Sequence, residues 1–114
     1  MKNLFALLFF ILLFSSCTVQ QPLYSWSKYE QASYNYLKNS DANSAQFLIE
    51  TYQKIIDKQE GTRKIVPPGV YADYGFILLQ LDKEEEGKTM LLKEVETYPE
   101  SKVFITNVLK MLEQ

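Results

Sequence analysis

The sequence predicts an all-α chain of about five helices, arranged as antiparallel hairpins and closed by a C-terminal capping helix. Three observations carry this reading. Apolar residues recur at the 3.6-residue helical spacing through most of the chain after Trp26. Polar or Pro/Gly-containing breaks separate these periodic stretches. No stretch shows the strict alternation of a half-buried strand; Phe76–Leu79 is apolar on every side instead. With 114 residues, 46% of them hydrophobic and 23% charged, the chain is sized for one globular domain. It has no His and one Cys, so a zinc site, a disulfide framework, an imidazole-based triad and His-ligated haem all lack their residues, and neither metal nor cofactor is expected. The formal net charge is −2 with bases and acids interleaved, which gives nucleic acid no basic surface to bind. The densest run, Lys83-Glu84-Glu85-Glu86-Gly87-Lys88, is expected to be a solvated helix face.

Residues 1–16 stand apart from the fold. Lys2 precedes the uninterrupted apolar stretch Leu4–Phe14, which is shorter than the roughly 17 residues a membrane span requires, and small residues follow. This is the layout of a signal peptide. The Leu13-Phe14-Ser15-Ser16-Cys17 stretch resembles the bacterial lipobox, with Phe14 in place of the usual Leu at the third position before the Cys. The resemblance implies cleavage before Cys17, a diacylglyceryl thioether on its thiol and acylation of the new amine. The alternative is an ordinary signal peptide with an incidental Cys. Several acyl chains on one residue give stable anchoring where one is marginal. Thr18 in the position after the Cys implies, by the sorting rule of enteric-type bacteria, the outer membrane with the protein facing the periplasm. Leaving out residues 1–16, which hold one Lys and no acid, takes the net charge from −2 to −3. Residues 17–25 then read as lipidated Cys and spacer, polar and aperiodic with Pro22, and residues 26–114 as the helical domain.

The helices follow in order. Ser27 with Glu30 makes a capping box, and Tyr29, Ala32, Tyr36 and Leu37 give the apolar face of a first helix ending near Lys38. Asn39-Ser40-Asp41 breaks it. Asn43 with Gln46 is expected to cap a second helix, with Ala45, Leu48, Ile49, Tyr52, Ile55 and Ile56 on one face and an end before Gly61. GTRKIVP (61–67) is loop, and Pro67-Pro68-Gly69 forces extended backbone before a third helix carrying Val70, Tyr71, Tyr74, Ile77, Leu78 and Leu81. Asp82 with Glu85 is expected to cap a fourth helix that buries Gly87, Met90, Leu91, Val95 and Tyr98, and Pro99 stops it. Ser101 opens a fifth with Phe104, Ile105, Val108, Leu109, Met111 and Leu112.

A 34-residue pattern runs through the second pair. Pro68 to Ser101 resembles a tetratricopeptide repeat: Tyr71 at the large aromatic position, Tyr74-Gly75 at the Leu-Gly pair, Leu78 at the next apolar position, Gly87 at the small position of the second helix, Leu91 at its aromatic or apolar position and Pro99 at the end. Small residues at 75 and 87 let the two helices approach closely. Tyr29, Ala32, Ser33, Tyr36, Ala45 and Ile49 form a degenerate earlier copy, broken at Tyr52 and Asp57 and separated by an insertion around Lys58–Pro67. Two repeats expose an apolar end, which the fifth helix is expected to cover.

In such repeats the first helix of each pair lines a partner-facing groove. The resemblance places Ala72, Phe76, Leu79 and Gln80 there, joined more weakly by Glu30, Tyr34 and Leu37 from the first helix. An apolar groove of this kind takes a peptide, a helix or a subunit, unless the fifth helix or a dimer mate covers it, which is the expected fate of Phe76 and Leu79. The many aromatics are expected to be core, with Tyr24 and Trp26 the best exposed candidates for a glycan contact and a staple onto the first helix the favoured reading. Arg63 and Lys64 sit in a loop that is expected to be solvated, or else to meet an acidic partner or headgroups. Asp73 and Glu94 are the pair that acid-base chemistry on a cell-wall polymer would need, on helix positions where solvated acids are usual.

The segment Val66 to Gly75, Val-Pro-Pro-Gly-x-Tyr-Ala-x-Tyr-Gly, with an aromatic-rich first helix, resembles a small family of bacterial outer-membrane lipoproteins of unknown function, members of which are typically encoded beside a lipoprotein like the curli secretion channel. That resemblance implies a non-catalytic, lipid-anchored adaptor with other envelope lipoproteins as partners. The alternative is a cell-wall (peptidoglycan) binding protein, or an activator or enzyme acting on cell-wall polymer.

Overall fold

A computed structural model describes residues 1–13 and 17–114, so Phe14, Ser15 and Ser16 of the expected processing site lie outside the described residues. The described chain is all-helical: α1 (Lys2–Leu13), α2 (Tyr29–Asn39), α3 (Ala42–Asp57), α4 (Val70–Gln80), α5 (Glu84–Thr97), a 3-10 turn (Pro99–Ser101) and α6 (Lys102–Leu112). The N-terminal apolar stretch forms α1, with Leu4, Phe5, Leu7, Leu8 and Phe9 exposed. No helix among the described residues is long and apolar enough to cross a membrane.

The five helices after Trp26 are those the periodicity predicts, ending in a C-terminal helix. α2 packs on α3, α4 on α5 and α6 on α5, while α3 and α4 join the two hairpins. α4 is the central element. Its Val70, Tyr74, Ile77 and Leu78 face Ala32, Leu48, Tyr52 and Ile55 of the first hairpin. Its Ala72, Phe76 and Leu79 face Leu91 of α5 and Ile105 and Val108 of α6. A helix buried from two sides reads as apolar all round, which explains Phe76–Leu79. Leu81 falls just beyond α4 and is exposed, outside the expected apolar stripe.

The hairpin of α4 and α5 is closed by its glycines. A Cβ on Gly75 would lie 2.9 Å from the Gly87 carbonyl oxygen, and one on Gly87 would lie 2.8 Å from Leu79 Cγ. Neither helix accommodates a side chain there without separating from the other.

Three helix starts differ from expectation. Ser27 does not cap α2; it has φ 50 and the N-cap is Lys28, with no side-chain bond. The cap of α3 is Asp41, whose carboxylate accepts from Ser44 N at 2.7 Å while Ser44 Oγ accepts from Asp41 N at 3.2 Å, rather than Asn43 with Gln46. Gln46 instead donates to Glu50 one turn on. Asp82 has φ 59 and serves as a turn residue, leaving Lys83 at the N-cap of α5. Ser101 stands at the N-cap of α6 as expected, as the last residue of the 3-10 turn that Pro99 opens and with no side-chain cap bond.

The spacer is docked rather than free from Pro22 onward. Thr62 N donates to the Pro22 carbonyl at 3.0 Å and Arg63 N to the Leu23 carbonyl at 3.1 Å. The Gln59 side chain bonds both Ser25 N and Ser25 O. Arg63 Nη1 donates to the Tyr24 hydroxyl at 2.7 Å, so this loop cation has an intramolecular partner. Backbone of Leu23 and Tyr24 passes so close to Gly61 that a Cβ there would be 2.4 Å from the Leu23 oxygen.

Candidate functional site

The exposed edge of α4 forms the floor of a groove between α2 and α6. α2 and α4 run parallel in a register of 44 residues: the Tyr29 hydroxyl donates to Asp73 Oδ2 at 3.2 Å, and the Tyr36 hydroxyl donates to Gln80 Oε1 at 2.9 Å. Below these bonds lies a hollow of about 210 Å³ that reaches Ser33, Leu37, Tyr52, Asp73, Phe76 and Gln80. On the other side of α4 a cleft of about 440 Å³ is bounded by Gly69, Ala72, Asp73, Phe76, Glu94 and Phe104. Asp73 and Phe76 belong to both, so the two hollows adjoin across α4. The Phe76 and Phe104 rings meet edge to face with centroids 6.2 Å apart, linking the floor to the α6 wall.

Gly69 at the N-cap has φ 88 and no side chain to cap α4. The cap comes from α5. Glu94, 2% exposed, accepts from Gly69 N at 2.8 Å through Oε1 and from Ala72 N at 3.4 Å through Oε2. A carboxylate at a helix N-terminus also meets the positive end of the helix dipole. Tyr98 completes the joint by donating from its hydroxyl to the Val66 carbonyl at 2.6 Å; burial, with Tyr24 nearby, pushes its pKa up to about 12. Val66-Pro67-Pro68-Gly69 is thus clamped by two side chains from the end of α5.

Asp73 keeps an exposed surface but has its carboxyl among groove-lining rings. Loss of water raises its pKa above the ordinary carboxylate value, and the Tyr29 hydroxyl partly offsets this by bonding the charged form. Burial also raises Tyr29 and, further, Tyr52. The groove therefore offers a floor of Phe76 between two polar residues, Asp73 and Gln80, with aromatic walls. Among the described residues no group of three or more His, Cys, Asp or Glu is placed to hold a metal.

The expected groove residues separate into two sets. Phe76 and Gln80 line it. Ala72 is 8% exposed and sits at the base of the α6-side cleft beneath the Glu94 bond. Leu79 turns toward α5, packing against Gly87. Leu37 lines the α2 wall, whereas Glu30 is exposed outside either hollow. Tyr34 is 62% exposed with Lys38 Nζ 6.0 Å over its ring, also outside them. Ser33, Tyr36, Asp73 and Phe104 complete the groove; the stripe Asp73, Phe76, Gln80 at spacings of three and four was the available signal, one residue round the helix from the expected face. Trp26 stacks tilted on Tyr29 at 5.5 Å, and Tyr29, Tyr52 and Tyr74 continue the contact inward, so most of these aromatics are structural. Cys17 is exposed, with no disulfide.

These features define an all-helical protein built of two hairpins and a closing helix, with a grooved face. Residues 23–108 match the family described as Domain of unknown function (DUF4810), and the chain belongs to that family. No curated protein and no solved structure matches it.

Proposed function

We propose that the chain is a lipid-anchored adaptor, tethered through Cys17 to the periplasmic face of the outer membrane, whose groove docks a segment of another envelope lipoprotein. One observation carries this reading: a groove with an aromatic floor at Phe76 and flanking hydrogen-bonding groups at Asp73 and Gln80, assembled from separate helices. Such a surface suits a partner helix or peptide that supplies apolar anchors and a few polar contacts. The repeat spacing around Gly75 and Gly87, and the resemblance to lipoproteins encoded beside a curli-channel-like lipoprotein, support a place in a multi-lipoprotein assembly. Non-catalytic work fits Glu94, the residue that acid-base chemistry with Asp73 would need, because both its oxygens are committed to backbone N–H groups at the start of α4. Binding to wall polymer is the competing reading and predicts glycan-dependent capture.

The test is mass spectrometry of the chain from outer-membrane fractions of a diderm bacterium, followed by crosslinking capture with wild type, Cys17→Ala and Phe76→Asp. A triacylated Cys17 and a partner lipoprotein lost with Phe76→Asp, at unchanged helicity, is the expected result. Equal capture by wild type and Phe76→Asp rules the groove out. Leu79→Asp is the wrong probe, because Leu79 packs against Gly87.

A further inference from the structure

The docked spacer fixes which end of the domain a lipid on Cys17 holds against the membrane. The first docked group is the Pro22 carbonyl, five residues after Cys17. Five residues span at most about 17 Å when fully extended. That end of the domain carries the Gln59–Arg63 loop, the start of α2 and the end of α3. It also carries a hollow of about 350 Å³ lined by Ser25, Ser27, Lys28, Lys54, Lys58 and Glu60, three bases against one acid, with Glu60 already paired to Lys58 at 3.2 Å. The opposite end of the α4–α5 hairpin has the reverse charge: Asp82, Glu84, Glu85 and Glu86 surround Lys83. The short leash and the local excess of bases around this hollow thus point the same way.

We propose that the face formed by Lys28, Lys54 and Lys58 lies on the bilayer and takes the phosphates of anionic lipid headgroups, so that the domain stands with its acidic end outward and its groove at a set attitude. The inference rests on lipidation of Cys17, part of the reading above, and adds a second membrane contact made by the fold itself. Juxtamembrane bases near an anionic surface attract it individually, and the attraction adds where they are clustered.

Trp26, the one tryptophan, lies beside this hollow and is 43% exposed, which makes it a native depth probe. The chain is extracted from membranes, its Cys17 modification checked by mass, and reconstituted into vesicles containing phosphatidylglycerol with a headgroup-spin-labelled lipid. Trp26 emission is expected to fall by about half or more, while a distal probe, Glu85→Trp in a Trp26→Phe background, keeps its emission. Lys28→Glu/Lys54→Glu/Lys58→Glu is expected to abolish most of the Trp26 quenching at unchanged circular dichroism, and vesicles of phosphatidylcholine alone to reduce it for the wild type. Equal quenching of both probes, or quenching indifferent to the lysines, overturns the proposal even with Cys17 lipidated and the groove reading intact. Loss of wild-type quenching on adding millimolar inorganic phosphate at constant ionic strength identifies a free-anion site and also overturns it. An unmodified Cys17 removes the leash and with it the proposal, whereas partner capture through Phe76 survives that result.

Discussion

Glu94 shows how much one side chain decides. It sits in the last turn of α5, yet its carboxylate supplies the N-cap of α4 that Gly69 cannot. Replacing it by Ala leaves two backbone donors with no acceptor and is expected to cost about 2–3 kcal/mol, with Gln recovering roughly half, read from denaturant midpoints. Gly87 is decided by space. Gly87→Ala gains about 1 kcal/mol of helix propensity but forces a methyl against the Gly75 carbonyl and Leu79, for an expected net loss of about 1–2 kcal/mol. Asp73 sets a pH dependence. Its folded pKa is raised, so the stabilising protonated form is fully present below the ordinary carboxylate pKa and its contribution is lost as pH rises through the raised value. Asp73→Asn is therefore expected to unfold at a higher temperature than wild type at neutral pH, with the difference vanishing in acid; scanning calorimetry at the two pH values checks it.

At the scale of elements, α4 is the piece on which the others depend, since both cores use it and its outer edge makes the groove floor. Its periodicity was legible as helix but not as to facing, because apolar residues all round carry no direction. The connections obey local rules more simply. Ser40 ends α2 in the left-handed region at φ 48, and Asp82 holds the α4–α5 turn at φ 59. Asp tolerates this conformation and β-branched residues do not. Asp82→Gly is expected to leave stability unchanged or raise it, and Asp82→Val to lower it by about 1–2 kcal/mol, with thermal melts of the two variants as the check.

For the whole molecule, the docked segment Pro22–Ser25 joins the N-terminus to the inserted loop, and the family match begins within it at residue 23. What reads as an insertion that spoils a repeat is therefore the dock for the segment that precedes α2. Gly61→Val is expected to undock it: protease cleavage near residues 20–25 should accelerate several-fold while the helical content stays constant, because the contact lies outside both cores.

The sequence by itself determined the five helices after Trp26, their hairpin order and the glycine pair at 75 and 87, because helical periodicity and turn chemistry are written within a few residues of one another. Only the tertiary structure decided the cap of α4, the groove face and the docking of the segment that precedes α2. Glu94 reaches back 25 residues to Gly69, Tyr29 reaches 44 to Asp73, and Leu23 meets Gly61 across the first hairpin. Each of these contacts satisfies backbone or side-chain hydrogen bonds, or uses the absence of a Cβ, between segments whose spacing in the chain carries no local signal; folding brings the partners together and only then does the choice between them exist.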